Sequence, residues 1–126
     1  YVLDALTPTF CRLLREEIEA FEAAPDVPKS RPNSMNNKGA LLEPLGLYPT
    51  LLTPFVREYI DPLARALFPD VCGASGLDHH RSFVVKYAVG EDVDLAYHFD
   101  DSEVTLNVNL GGDFEGGELL FGALKN

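Results

Sequence analysis

His98-Phe99-Asp100-Asp101-Ser102-Glu103-Val104-Thr105-Leu106-Asn107-Val108-Asn109-Leu110 changes character part-way along. From Val104 onward the apolar residues recur every second position, with Val104, Leu106, Val108 and Leu110 on one face and Thr105, Asn107 and Asn109 on the other. That is the period of a half-buried strand, and it predicts a strand over 103–110. The same period marks strands over 81–88, 95–99 and 118–121, with Gly111-Gly112 and Gly116-Gly117 as the turns between them. Upstream of the Gly73 to Gly76 turn the period is helical. Thr7 or Thr9 caps a helix running to about Ala24, with Phe10, Leu13, Leu14, Ile18 and Phe21 at helical spacing and Glu16, Glu17, Glu19 and Glu22 on the other side. A second helix is predicted from Pro49 to Phe68, with Leu51, Leu52, Phe55, Tyr59, Leu63 and Leu67 on one stripe and Pro62 breaking or kinking it. Between the helices, residues 26–39 are polar and turn-rich and read as a long loop. Helices followed by a run of strands give an α+β class, with the helices on one face of a mainly antiparallel sheet.

The chain has 126 residues, enough for one domain, read as a helical part over 1–76 and a β part over 77–126. Ten basic against twenty acidic residues give a formal charge of −10. Such a field repels phosphate backbones and anionic lipid surfaces, which argues against nucleic acid as a partner. No apolar run is long enough to span a membrane. Cys11 and Cys72 form no C-x-x-C pattern, so reduced thiols are the default and no cysteine-rich zinc site is read. The residues fix no compartment, a cytoplasmic one being favoured.

Alternate residues of a strand project to the same face roughly 6–7 Å apart. His98 and Asp100 therefore converge as an imidazole and a carboxylate, two thirds of the two-histidine, one-carboxylate triad that leaves open positions on ferrous iron. Asp101 faces the other way unless a bulge intervenes. His79 and His80 are adjacent, point apart, and read as surface or strand-entry residues. Glu91, Asp92 and Asp94 lack the calcium-loop spacing and read as a solvated acidic turn. Asparagine is depleted in strands, so Asn107 and Asn109 on one face call for water or a polar ligand. Tyr87 shares a face with Arg81, Phe83 and Val85.

Taken together, Val84-Val85-Lys86-Tyr87-Ala88-x-Gly90, His98-Phe99-Asp100, the strand Val104 to Leu110, and Phe114-x-Gly116-Gly117-Glu118-Leu119-x-Phe121 resemble the prolyl-4-hydroxylase-like branch of the iron(II)- and 2-oxoglutarate-dependent oxygenases. Arg31-Pro32-Asn33-Ser34-Met35-Asn36-Asn37 and Gly39 further resemble the 2-oxoglutarate and iron-dependent oxygenase domain-containing group. The resemblance implies N-terminal helices packed on part of a double-stranded β-helix, or jelly roll. It implies that His98 and Asp100 bind iron(II), and that Tyr87, Thr105, Asn107 and Asn109 line the 2-oxoglutarate pocket. Ascorbate, molecular oxygen and a protein or small-molecule substrate are the further partners it implies. Asn33, Asn36 and Asn37 stand in a candidate lid or substrate loop. Where some relatives place a tyrosine, this chain has Asn109, whose reach is shorter. The family's third ligand is a downstream histidine, and no histidine follows His98 here, so the resemblance implies part of a longer oxygenase that is inactive on these residues alone. A noncatalytic interaction domain that keeps the fold is the competing reading.

Overall fold

The computed structural model describes residues 1–122. Helix α1, Pro8–Ala23, starts where the sequence places it: the Thr7 hydroxyl accepts from the Phe10 N–H at 3.2 Å, and Pro8 occupies the first turn, where a missing N–H costs nothing. It stops at Ala24, which is extended (φ −65°, ψ 121°) because the following Pro25 disfavours helical backbone there. Cys11 and Ile18 are buried on its inner face, while Arg12 and Glu16 pair at 2.6 Å on the outside.

The second helical run covers residues 48–67 and passes through Pro62 instead of breaking. It does so by widening. Turns with i to i−5 bonding at Tyr48–Leu52 and Val56–Ile60 alternate with α turns at Thr53–Phe55 and Asp61–Leu67. The Thr53 N–H reaches the Tyr48 carbonyl, and the Asp61 N–H reaches the Val56 carbonyl. Pro49, Pro54 and Pro62 each fall in the first two positions of one of these segments. Pro49 starts its run, where neither a missing donor nor a clash arises; at Pro54 and Pro62 a wide turn just before the ring absorbs both the missing donor and the clash with the carbonyl four residues back. It also shifts the side-chain phase, so Tyr59 is 62% exposed although the helical stripe predicts it inside, and Ala64 is buried in its place.

Strand β1, Gly39–Leu41, pairs antiparallel with β2, Phe83–Val85, in the register Gly39↔Val85, Ala40↔Val84, Leu41↔Phe83. Bonds from Leu42 N–H to the Ser82 carbonyl and from Lys86 N–H to the Lys38 carbonyl extend the ladder by one residue at each end. β2 is the centre of the strand expected over 81–88, and β1 lies at the end of the expected loop. The core forms where α1 lies on this pair: Ile18, Ala40 and Leu42 are buried, with Leu14, Phe21, Tyr48, Val84 and Leu110 packed against them.

The architecture is α+β, as expected, with a two-stranded sheet. The strands expected over 95–99, 103–110 and 118–121 are not formed; these residues carry no regular secondary structure. The reason is pairing. A period-two pattern makes a strand only when another backbone completes the ladder, and none does so for these segments among the described residues. Leu106 and Val108, expected to face a core, are accordingly 46% and 39% exposed, and only Leu110 reaches it. Both cysteines are free and buried. No helix among the described residues is long and apolar enough to cross a membrane.

Candidate metal centre

His98 and Asp100 meet with Nε2 and Oδ1 3.2 Å apart, although the residues around them form no strand. On the other side of the ring, Nδ1 lies 2.9 Å from the Ala96 carbonyl, an acceptor only, so Nδ1 carries the proton. In the neutral ring, Nε2 then turns its lone pair toward a carboxylate oxygen. Two lone pairs at that distance repel unless a cation lies between them, and either a proton or a metal ion meets that need. The carboxylate is held from behind: Thr105 donates to Asp100 Oδ2 at 2.6 Å, and Ser102 Oγ is 2.9 Å from the Thr105 hydroxyl. The pair is open to solvent, the His98 and Asp100 side chains being 34% and 46% exposed. No third histidine, cysteine or acid joins them among the described residues.

A second set of candidates gathers in the loop before β1. Asn33 closes a tight turn, its Oδ1 accepting from the N–H groups of Met35 and Asn36 at 2.8 and 2.7 Å. Asn36 is fully buried; its Oδ1 accepts from Asn33 Nδ2 at 3.0 Å, and its Nδ2 donates to the Tyr87 hydroxyl at 3.2 Å. Arg31 bridges the carbonyls of Asn36 and Ser34. Asn37 and Lys38 are fixed by Asp92, whose carboxylate accepts both backbone N–H groups at 2.6 and 3.0 Å and the Asn37 side-chain amide at 3.0 Å. The structure thus unites Asn33, Asn36 and Tyr87 in one network and gives the Asn33 and Asn36 amides internal partners. Asn109 closes its own turn on the Gly111 N–H at 2.7 Å, and Asn107 is exposed.

Sequence reasoning missed Asp92. In place of a solvated turn, residues 88–92 form a bonded turn whose aspartate clamps the loop, and Glu91 lies 3.4 Å from Lys38. The partners are more than fifty positions apart, so no local pattern marks them. His79 is exposed and paired with Asp78, as expected of a surface residue. His80 has more to do at the strand entry: it stacks on Tyr48 with ring centroids 4.6 Å apart and places Nε2 3.0 Å from the Thr53 hydroxyl, and burial, then the charge of His79, lowers its pKa.

Two predictions follow from the loop. Asn36→Ala leaves the Tyr87 hydroxyl and the Asn33 amide without their buried partner and is expected to cost about 1–3 kcal/mol in denaturant unfolding. The Asp92 carboxyl is held below its ordinary value of 3.8, first by the Lys38 N–H and then by the Asn37 amide. A depressed carboxyl adds stability above its unfolded pKa, and that stability is lost as pH falls through the folded one. The protection factors of the Asn37 and Lys38 amides should therefore fall as acid is added below about pH 4. In Asp92→Asn the acid-induced change should be gone; an unchanged acid response in that variant would place the titrating group elsewhere.

Comparison with known proteins decides the family. The family model described as the OGFOD2-like domain matches residues 1–73, which hold α1, the asparagine loop and the proline-rich helix. The chain belongs to the OGFOD2-like domain family. Beyond residue 73 the likeness to members of the 2-oxoglutarate and iron-dependent oxygenase domain-containing group continues. The chain is 52% identical over 124 residues, 98% of its length, to 2-oxoglutarate and iron-dependent oxygenase domain-containing protein 2 of Homo sapiens, covering 35% of that protein. It is 48% identical over 124 residues, 96% of its length, to the domain-containing protein CP2 of Arabidopsis thaliana, covering 31% of it. A shorter match, 39% over 70 residues, 53% of this chain and 9% of the relative, is to procollagen-lysine,2-oxoglutarate 5-dioxygenase 1 of Rattus norvegicus. The chain thus spans about a third of the length of the first two of these relatives. No solved structure matches it.

Proposed function

We propose that this OGFOD2-like chain carries two of the iron ligands of an iron(II)- and 2-oxoglutarate-dependent dioxygenase that hydroxylates a protein side chain in the manner of the prolyl hydroxylases. The observation that carries the reading is the pair His98 Nε2 and Asp100 Oδ1, 3.2 Å apart, with Nδ1 engaged by a carbonyl. A nitrogen and an oxygen donor on one side of ferrous iron suit that ion and leave positions for a cosubstrate and oxygen. The cofactors of this reading are iron(II) and 2-oxoglutarate, with ascorbate as reductant. When bound, they supply an oxidation in which oxygen and 2-oxoglutarate become succinate and carbon dioxide while a substrate C–H becomes C–OH.

The residues of the chain have separate tasks in it. His98 donates Nε2 with its ring fixed by Ala96, and Asp100 donates Oδ1 while Thr105 holds Oδ2. Tyr87 offers its hydroxyl proton outward, because Asn36 already donates to its oxygen. Together with Thr105, Asn107 and Asn109 it is assigned to the 2-oxoglutarate pocket, and Asn33, Asn36 and Asn37 to the loop that shapes the substrate side. In this reading the period-two segments after residue 94 become strands of a jelly roll once sequence of the relatives' length supplies their partners and the third ligand.

The test is an anaerobic titration of ferrous iron and 2-oxoglutarate into the longest natural form of the protein and into residues 1–126, followed by the metal-to-ligand charge-transfer band. A band in the longer form supports the dioxygenase reading. No band in either favours a noncatalytic interaction domain with the same fold.

A further inference from the structure

β1 has two edges and uses one. Lys38, Ala40 and Leu42 turn their backbone groups to β2, as the bonds at Lys38–Lys86 and Leu42–Ser82 and the register at Ala40↔Val84 require. In an antiparallel ladder bonded and non-bonded pairs alternate, so Gly39 and Leu41 turn their N–H and C=O groups the opposite way. The sheet has two strands, and among the described residues no hydrogen bond is made to that outward row. An edge of this kind is a template for another strand unless something covers it.

What lies along the edge is a cleft of about 390 Å³. Gly39, Ala40 and Leu41 form one side of it, Phe21, Pro28 and Pro44 give it apolar walls, and Lys29, Arg31 and Lys38 bring three cations. Glu22 is the one acid in its lining. In a chain of formal charge −10, with ten basic residues in all, three lining the cleft along one short strand edge are a local reversal of sign. Two of the three are left uncompensated: Lys29 donates to the Ala24 carbonyl, and Arg31 to the carbonyls of Asn36 and Ser34, all neutral acceptors. Lys38 shares Glu91 at 3.4 Å and stays half exposed. Asp92 and Asn33 hold the loop that carries these cations, so the cleft is formed before anything enters it.

We propose that this cleft is a docking site for an extended acidic segment of a partner protein, which adds to β1 as a third strand. The outward groups of Gly39 and Leu41 supply main-chain bonds, Lys29, Arg31 and Lys38 meet the acidic side chains, and Phe21, Pro28 and Pro44 receive the apolar ones. Charge selects the partner and the ladder fixes its register. The proposal goes beyond the iron chemistry and does not depend on it.

A fluorescently labelled peptide of alternating Glu and Val, with a Gln and Val peptide as control, tests it by anisotropy. The acidic peptide is expected to bind the chain at least about tenfold more tightly than the neutral one, and the combined Lys29→Glu and Lys38→Glu variant to lose at least about tenfold in affinity. Leu41→Pro removes an outward N–H and leaves the bonds to β2 in place, because proline is tolerated on the open side of an edge strand. It should weaken binding by a similar factor. Hydrogen exchange on the unaltered chain supplies a second readout, with the Gly39 and Leu41 amides slowed by the acidic peptide. Binding that is indifferent to Leu41→Pro, equal affinity for the neutral peptide, or no added protection at those two amides overturns strand addition. If Leu41→Pro fails to fold, exchange on the unaltered chain decides alone.

Discussion

Asp100→Ala in the longest natural form of the protein should lower iron-dependent succinate formation by more than about a hundredfold, since the loss of a ligand exceeds the loss of a group that merely supports one. The fold should survive, because the Asp100 side chain is 46% exposed and its one supporting bond comes from Thr105. Thr105→Val separates ligand from support. It leaves both donors in place but frees Asp100 Oδ2, and the expected loss is about tenfold to a hundredfold in iron affinity. Succinate formation that persists undiminished in Asp100→Ala would remove His98 and Asp100 from the metal centre. Equal effects of the two substitutions would mean that the Thr105 hydroxyl does more than orient a carboxylate.

The second large effect is structural. Gly39 has φ of +129°, and a Cβ built there would lie 1.9 Å from the Val84 carbonyl oxygen and 2.9 Å from its carbon, both backbone atoms of the paired strand. No rotamer can relieve a contact with backbone, so Gly39→Ala must part β1 from β2, and with them the surface on which Ile18 and Leu42 are buried. The expected loss exceeds about 4 kcal/mol, in the range reserved for a few severe mechanisms. Gly46 is the control. It also has positive φ, +71°, but nothing lies within 4 Å of its added Cβ, and Gly46→Ala should cost about 1 kcal/mol. Comparable midpoints for the two variants in denaturant unfolding would refute the register of β1 against β2.

What the sequence discloses depends on how far apart the partners are. Helix α1 is legible because its signals are local: Thr7 caps it, Leu14, Ile18 and Phe21 repeat at helical spacing, and Pro25 ends it. His98 and Asp100 also meet, but across residues that form no strand, so the alternation that points to the pair is not what holds it. The asparagine loop is only half legible. Its composition marks it as built for turns, and Asn33 does close one, but the burial of Asn36 against Tyr87 and the clamp from Asp92 join residues more than fifty positions apart. β1 escapes notice because Gly39-Ala40-Leu41 is too short to show a period. A regular repeat puts Tyr59 inside, but the prolines do not allow that repeat. The segments after residue 94 show the opposite limit: their alternation is plain, yet a strand is a property of two backbones, and one backbone's pattern does not create its neighbour.

The pairing of β1 with β2 also fixes an order of events in time. Leu42 and Ser82 are bonded to each other with the whole helical run between them. On a ribosome adding about 5–20 residues per second, β1 is synthesised roughly 2–8 seconds before its partner strand. Helical turns close in microseconds or less, so α1 and the proline-rich helix can form while β1 waits. During that interval both of its edges are open, and Lys29, Arg31 and Lys38 closely precede it in the chain. The same three cations that favour an acidic strand in the finished protein would then repel a second nascent copy of this cationic edge, so the newborn chain is kept from pairing with its neighbour on the next ribosome.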